Sequence, residues 1–324
     1  MKRILCAVMA VMMLFGMAGC GKDDGLDEIT VVLDWTPNTN HAGLFLAQEL
    51  GYYYDAGLKV NIIQPPEGGA EALVASGKAQ FGISFQDSMA PALSAKEALD
   101  IVAVAAICQH NLSGIISKGE KAIYSFKDME DKTYATWGSP IEQTIIEYCM
   151  NEEGGDFSKL KMIDSTVTDV LTALETDMID TVWVYEYWDV VKADMEGYDY
   201  CYMDFKSVDE VLDYYTPVII TSGEYAEKNS DVVKRFLTAV KRGYTECTKD
   251  IEKAADALCK ADETLPRELV IRSLELLQDY FVDDNGEWGY IDSARWNSFY
   301  GWLYENGLIE KNLEDVGFTT EYLR

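Results

Sequence analysis

The feature that most constrains this chain is a recurring alternation of short, almost continuously apolar runs with stretches of helical spacing. Residues 28–33 form a β-branched run ending at Asp34-Trp35. A polar loop, Thr36-Pro37-Asn38-Thr39, then leads to Asn40 as the expected N-cap of a helix over 42–50, closed by Gly51. Further strands are expected at 58–64, 81–85 and 101–107, with a helix opening at Glu67-Gly68-Gly69 and another around 89–95. Runs this apolar are buried on both faces, and strands separated by helices pair in parallel. The segment therefore predicts a parallel sheet with helices on both sides. The rhythm restarts with strands at 113–118, 132–137, 160–164 and 181–185, with helices after Ser139 and over 167–175. A strand at 218–221 follows Tyr214-Tyr215-Thr216-Pro217, and helices are expected over 231–247, 251–261, 267–280 and 293–306. Two α/β units with a helical C-terminal part are what a two-lobed α/β binding protein would show.

Composition narrows the function. At 324 residues and 48% hydrophobic, the chain can build a sizeable core in about two domains. Its 56 Asp and Glu outnumber 27 Lys and Arg, a formal charge of −29. No basic excess is left to neutralise nucleic-acid phosphates or to bind an anionic membrane through a polybasic surface. Five cysteines lie beyond residue 20, Cys108, Cys149, Cys201, Cys247 and Cys259, with no C-x-x-C pair, and most read as buried thiols. With only His41 and His110 as histidines, no cluster has zinc-ligand spacing, so no metal and no cofactor are expected.

The first residues read as a targeting segment. Met1-Lys2-Arg3 precedes an apolar stretch from Ile4 to Phe15 that is too short to span a bilayer. Met17-Ala18-Gly19-Cys20 looks like a bacterial lipobox, with Cys20 the lipidated residue after removal of a signal peptide, residues 1–19. Residues 20–27 would be a polar tether, leaving a soluble protein anchored by lipid alone at the outer face of the cell membrane.

Nucleotide and hydrolase motifs are missing: there is no G-x-x-x-x-G-K-[ST], G-x-S-x-G or G-x-G-x-x-G. The sharpest local signal is Ser139-Pro140-Ile141-Glu142, with Ser139 as N-cap, Pro140 at the first helical position and Glu142 closing a capping box. Trp35 and Trp137 each stand at the carboxyl end of an expected strand, where open α/β sheets place their ligands. Either could instead cap a core. Together, one in each half, they would sandwich a flat ligand.

Residues 33–44, Leu-Asp-Trp-Thr-Pro-Asn-Thr-Asn-His-Ala-Gly-Leu, resemble the opening motif of the thiamine-pyrimidine-precursor family. That family includes substrate-binding lipoproteins of ABC transporters and related eukaryotic pyrimidine synthases. Residues 50–53, 57–60, 77–82, 109–114, 137–142 and 183–188 continue the likeness over nearly the whole chain. The resemblance implies an α/β fold of the type II periplasmic-binding-protein class, two lobes joined by a two-strand hinge. Crossovers are expected near residues 110–113 and 214–217, giving lobe 1 as 28–111, lobe 2 as 112–215 and lobe 1 completion with C-terminal helices as 216–324.

It also implies a ligand pocket lined by Trp35, Asn38, His41, Gln86 and Asp87 from the first lobe, Asn111 at the hinge, and Trp137, Ser139, Tyr185, Glu186 and Trp188 from the second. An aminopyrimidine offers a π-face to tryptophan and an amino group and ring nitrogens to Asp, Glu, Asn or Gln. His41 has a competing role in tying down the Trp35 loop, and Asp34 is expected to order that loop. The synthases carry a lysine and a histidine just after the strand that here reads Gly82-Ile83-Ser84-Phe85-Gln86-Asp87-Ser88, and a cysteine-rich run near the second crossover. Both are absent, so no enzyme activity is expected. The implied function is a monomeric receptor handing a thiamine pyrimidine precursor to an ABC permease. Alternatives are riboflavin, another heterocycle, or a sulfonate or nitrate-like anion in the same role, the anion needing a pocket Arg or Lys that the candidates lack. A secreted enzyme or a sensory receptor domain is the remaining alternative.

Overall fold

The computed structural model describes residues 25–66, 69–165, 167–283 and 285–324. The signal segment, Cys20, the tether up to residue 24 and the Glu67-Gly68 helix opening lie outside the described residues.

Two five-stranded sheets organise the chain. The first contains β1 (Asp27–Val32), β2 (Leu58–Ile63), β3 (Phe81–Ser84), β4 (Val102–Ala106) and β10 (Val218–Thr221), in the order β2-β1-β3-β10-β4. The second contains β5 (Ser113–Lys118), β6 (Thr133–Thr136), β7 (Lys161–Asp164), β8 (Thr181–Tyr185) and β9 (Tyr200–Asp204), in the order β7-β6-β8-β5-β9. The chain leaves the first sheet after β4 and returns to it after β9.

The sheets are mixed, which corrects the expectation of purely parallel pairing. β10 runs antiparallel to β3 and β4, and β5 runs antiparallel to β8 and β9. The reason is topological. β5 and β10 are the strands that receive the chain directly from the other sheet, without a crossover helix to reverse its direction.

Side-chain chemistry sets the layers. The Ser230–Cys247 helix buries Val233, Phe236, Leu237, Val240, Tyr244 and Cys247, the i, i+3, i+4 spacing of a face turned to a core. Phe236 stacks on Phe81 of β3 with ring centroids 4.0 Å apart. The same helix crosses the Ala42–Glu49 helix at two glycines. A Cβ on Gly243 would sit 2.1 Å from the Gly43 carbonyl oxygen, so only glycine permits this approach.

A second core joins the sheets. Phe299 of the Ser293–Glu305 helix stacks on Tyr214 at 4.0 Å, and Trp302 of the same helix meets Tyr148 edge-on at 5.3 Å. Tyr148 belongs to the Pro140–Glu152 helix beside the second sheet, so the C-terminal helix touches both halves. Cys108, Cys149, Cys201 and Cys247 are free and buried, and Cys259 is free and half-buried.

Candidate functional site

Strand direction fixes where a site can form. β1 and β3 are parallel, and β10, antiparallel to both β3 and β4, makes those two parallel as well. In the second sheet β6 and β8 are parallel, and the start of β5 pairs with the end of β8, Ser113 opposite Tyr185. The carboxyl ends of β1, β3, β4, β6 and β8 therefore all lead to the seam where the chain crosses between sheets. The loops carrying Trp35, Asp87, Trp137 and Tyr185 open there, as open α/β sheets place their ligands.

The loop after β1 is internally fastened. The Asn38 N–H donates to His41 Nδ1 at 3.1 Å, which assigns the ring proton to Nε2, and Nε2 donates to Asp34 at 2.5 Å. Asn38 Oδ1 accepts from the Asn40 N–H at 2.9 Å and its Nδ2 donates to the Thr36 carbonyl at 3.2 Å. Asn38, not Asn40, is thus the cap, and it caps a 3-10 turn over Thr39–His41 ahead of the helix. Asn40 is buried and donates to the Tyr187 hydroxyl at 2.6 Å. The outcome of this fastening is Trp35 held out from the surface, 58% exposed.

After β3, Gln86 and Asp87 diverge. Gln86 is buried, and its amide is engaged at both ends, Nε2 donating to the Trp296 carbonyl at 2.9 Å and Oε1 accepting from the Tyr215 N–H at 3.0 Å. It staples the second crossover instead of facing a ligand. Asp87 is half-buried at the start of the Gln86–Ser94 helix. Burial pushes its carboxyl up to about 6, opposed by the Ser88 and Asp87 N–H groups and aided by nearby Glu71.

Tyr185, at the end of β8, comes to meet this corner. Its ring stacks on Phe85 with centroids 6.4 Å apart, it is hydrogen-bonded to Thr216, and the charges that reach it are those of Asp87 and Asp34. Burial, then Asp87, pushes its hydroxyl pKa upward. The structure thus brings Tyr185 of the second sheet against Phe85 of the first, two residues before Asp87. The next residues form a π-helix, Glu186–Val190, which turns successive side chains apart. Tyr187 is buried in the first core against Asn40, and Trp188 packs partly buried against the same core. Glu186 has Lys206, Asp204 and Asp194 as its charged neighbours, a different environment from that of Tyr185. Burial raises the Glu186 carboxyl pKa. Asp189, half-buried on the same turn near Lys192 and Asp169, is pushed up to about 6 by burial.

On the second-sheet side Trp137 is 53% exposed and packs edge-on to Trp183 at 5.3 Å. Ser139 caps the Pro140–Glu152 helix, its Oγ accepting from the Glu142 N–H at 3.5 Å. Glu142 accepts from the Tyr134 hydroxyl at 2.6 Å, the Thr136 hydroxyl at 2.8 Å and the Ser139 N–H at 3.3 Å. At the first crossover Asn111 is buried and fully used. Its Nδ2 donates to the Leu212 carbonyl at 2.8 Å and its Oδ1 accepts from the Ser113 N–H at 2.9 Å and hydroxyl at 2.6 Å. Asp213 ties the two crossovers by accepting from the Asn111 N–H at 2.8 Å and pairing with His110 at 2.6 Å and Arg295 at 3.3 Å. Against the upward push of burial, those partners bring the Asp213 carboxyl below its ordinary range.

Sequence reasoning passed over Phe85, Tyr187, Asp189 and Thr216. Phe85 closes an apolar strand and reads as core; Asp189 stands in an irregular turn that carries no periodic signal.

A family model described as NMT1/THI5 like matches residues 38–254, from the Asn38 cap through both crossovers. The chain belongs to that family. The formylaminopyrimidine-binding protein of Halalkalibacterium halodurans is 26% identical over 324 residues, covering 95% of each chain. A 4-amino-5-hydroxymethyl-2-methylpyrimidine phosphate synthase of Legionella pneumophila is 23% identical over 274 residues, covering 81% of this chain and 83% of its own. Among solved structures, the periplasmic nitrate-binding protein NrtA of Synechocystis aligns with a TM-score of 0.69 at 15% identity, covering 92% of this chain and 87% of its own. That likeness fixes the fold as the two-lobed α/β fold of periplasmic binding proteins. Binding proteins and synthases share this family, so the fold alone does not choose between them.

Proposed function

We propose that this member of the family is the extracytoplasmic substrate-binding lipoprotein of an ABC importer. It captures a small flat heterocycle, a hydroxymethyl- or formylamino-pyrimidine precursor of thiamine, between its lobes and delivers it to the permease. The observation that carries this reading is the stacking of Tyr185, from the second sheet, on Phe85, at the foot of the helix that carries Asp87 in the first. Exposed Trp35 and Trp137 supply faces for the ring, and Trp188 adds apolar wall. The Asp87 carboxyl accepts from an exocyclic amino group, and the Tyr185 hydroxyl meets a ring nitrogen. Asn38 and His41 hold the Trp35 loop, while Gln86, Asn111 and Ser139 hold the frame.

The charges support a neutral or cationic ligand. The carboxylates whose charge acts on Tyr185 are Asp87 and Asp34, and both would repel a sulfonate or nitrate. Binding without turnover is supported by the residues after β3, where Gln86 is committed to backbone partners and neither neighbour is a lysine or histidine. The formylaminopyrimidine-binding relative, similar over nearly the full chain, supports the ligand class.

A thermal-shift panel on the purified protein tests the reading. At 100 times Kd a ligand stabilises by about 2.7 kcal/mol. Hydroxymethyl- or formylamino-pyrimidine is expected to raise Tm without being converted. A response to nitrate or taurine alone, or conversion of the pyrimidine, would overturn the proposal.

A further inference from the structure

Four aromatic rings of the second lobe form a row that ends at the proposed site. Phe126 and Phe205 are buried, with ring centroids 5.6 Å apart. Trp183 rests on Phe205 at 4.1 Å, and Trp137 meets Trp183 at 5.3 Å with the ring planes at 77°. Burial falls along the row, from the core at Phe126 through half-buried Trp183 to Trp137, which is 53% exposed. Trp183 and Tyr185 belong to one face of β8, two residues and about 7 Å apart, so the row reaches the seam one step behind Tyr185.

The backbone that carries Trp137 is pinned as well. Gly138 turns it at a φ of +79°, and the Gly138 N–H donates to the Thr136 hydroxyl at 2.9 Å, which itself donates to Glu142 at 2.8 Å. An exposed indole on a pinned backbone still turns about its side-chain torsions. Trp183 is the ring that stops it, because an edge-on pair holds only within a narrow range of separation and angle. Trp35 is different: among the described residues its ring meets no other ring. The two exposed tryptophans are therefore unequal, one held by a neighbour and one free.

We infer that Trp183 is a positioning residue: it sets the plane of Trp137 before a ligand arrives, so that the second-lobe wall of the proposed site is preformed. The inference rests on the reading of the seam as a heterocycle site. Immobilising a mobile side chain on binding weakens affinity roughly two- to tenfold, and a ring already fixed escapes that loss. Trp183 reaches the ligand only through Trp137, and its anchor is the buried Phe205 behind it.

The test combines far-UV circular dichroism with titration of hydroxymethyl-aminopyrimidine. Two indoles locked edge-on couple as an exciton pair, so the native protein should show a couplet that vanishes in Trp183→Leu and in Trp137→Ala. Trp183→Leu should bind roughly three- to tenfold more weakly. Trp183→Phe, which restores a ring at the edge of Trp137, should stay within about twofold of native. With Trp137 already replaced by alanine, Trp183→Leu should weaken binding no further, because its effect passes through that ring. No couplet in the native protein, native affinity in Trp183→Leu, or an equal loss in the Trp137→Ala background overturns the inference. Where Trp183→Leu does not fold, the native couplet and its loss in Trp137→Ala decide. Failure of the native protein to bind any aminopyrimidine removes the seam reading and this inference with it, whereas native binding with an unchanged Trp183→Leu removes the inference alone.

Discussion

Gln86 and Asp87 are adjacent, yet one is committed to the frame and the other is proposed for the site. Removing the Gln86 amide would strand the buried Tyr215 N–H and Trp296 carbonyl. Gln86→Ala should therefore cost about 2–4 kcal/mol in urea unfolding while leaving pyrimidine affinity within a few-fold. A stable variant with lost affinity would move Gln86 into the pocket. Asp87 behaves in the opposite way. Its carboxyl titrates near 6 in the fold and near the ordinary 3.9 when unfolded. Between those values the folded protein binds more protons, so stability falls as pH rises from about 4 to about 6 and stays low above. Asp87→Asn should flatten part of that slope and raise stability at pH 7 by up to about 2–3 kcal/mol, while weakening pyrimidine binding tenfold or more. Asp189, pushed up to about 6 as well, leaves a second slope of the same sign. Unfolding curves at pH 4 and 7 check this; an unchanged slope in Asp87→Asn would contradict it.

At the level of elements, the capping box at Ser139 and Glu142 and the glycine contact between helices are the places where single changes speak most clearly. Ser139→Ala should cost about 1 kcal/mol and leave ligand affinity unchanged, since its Oγ serves the helix end. Gly243→Ala should cost several kcal/mol, because its methyl would meet the Gly43 carbonyl; a melting temperature unchanged from wild type would refute that contact. Elements with strong periodicity or a cap were legible from sequence: β5, β8 and β10 fall on the expected residues, as does the Ile251–Ala261 helix. β9 was not legible, because its Tyr-Cys-Tyr-Met-Asp run is a half-exposed edge strand ending in an acid. The π-helix at Glu186–Val190 has neither a 3.6 nor a 2 period, so the separation of Tyr185 from Glu186 was invisible. The tryptophans at strand ends were readable, since strand direction alone puts them at the seam. The occupied amides of Asn38, Gln86 and Asn111 were not, since their partners lie on distant segments or in local turns.

Over the whole molecule, the two sheets are linked by more than two crossovers. Tyr187 is set into the first core beside Asn40, and the Ser293–Glu305 helix touches residues beside both sheets. If the lobes close on a ligand as proposed, the Asn111–Asp213 cluster that joins the two crossovers is where they would pivot, while these contacts hold or re-form. The central claim is that a flat heterocycle is held at this seam between Trp35 and Trp137. Tryptophan fluorescence during titration with hydroxymethyl-aminopyrimidine tests it most directly, in the native protein and in Trp35→Ala and Trp137→Ala. The account predicts a saturable, one-site change in the native protein and at least tenfold weaker binding in each variant. No saturable change with any aminopyrimidine, or native affinity in both variants, would contradict it.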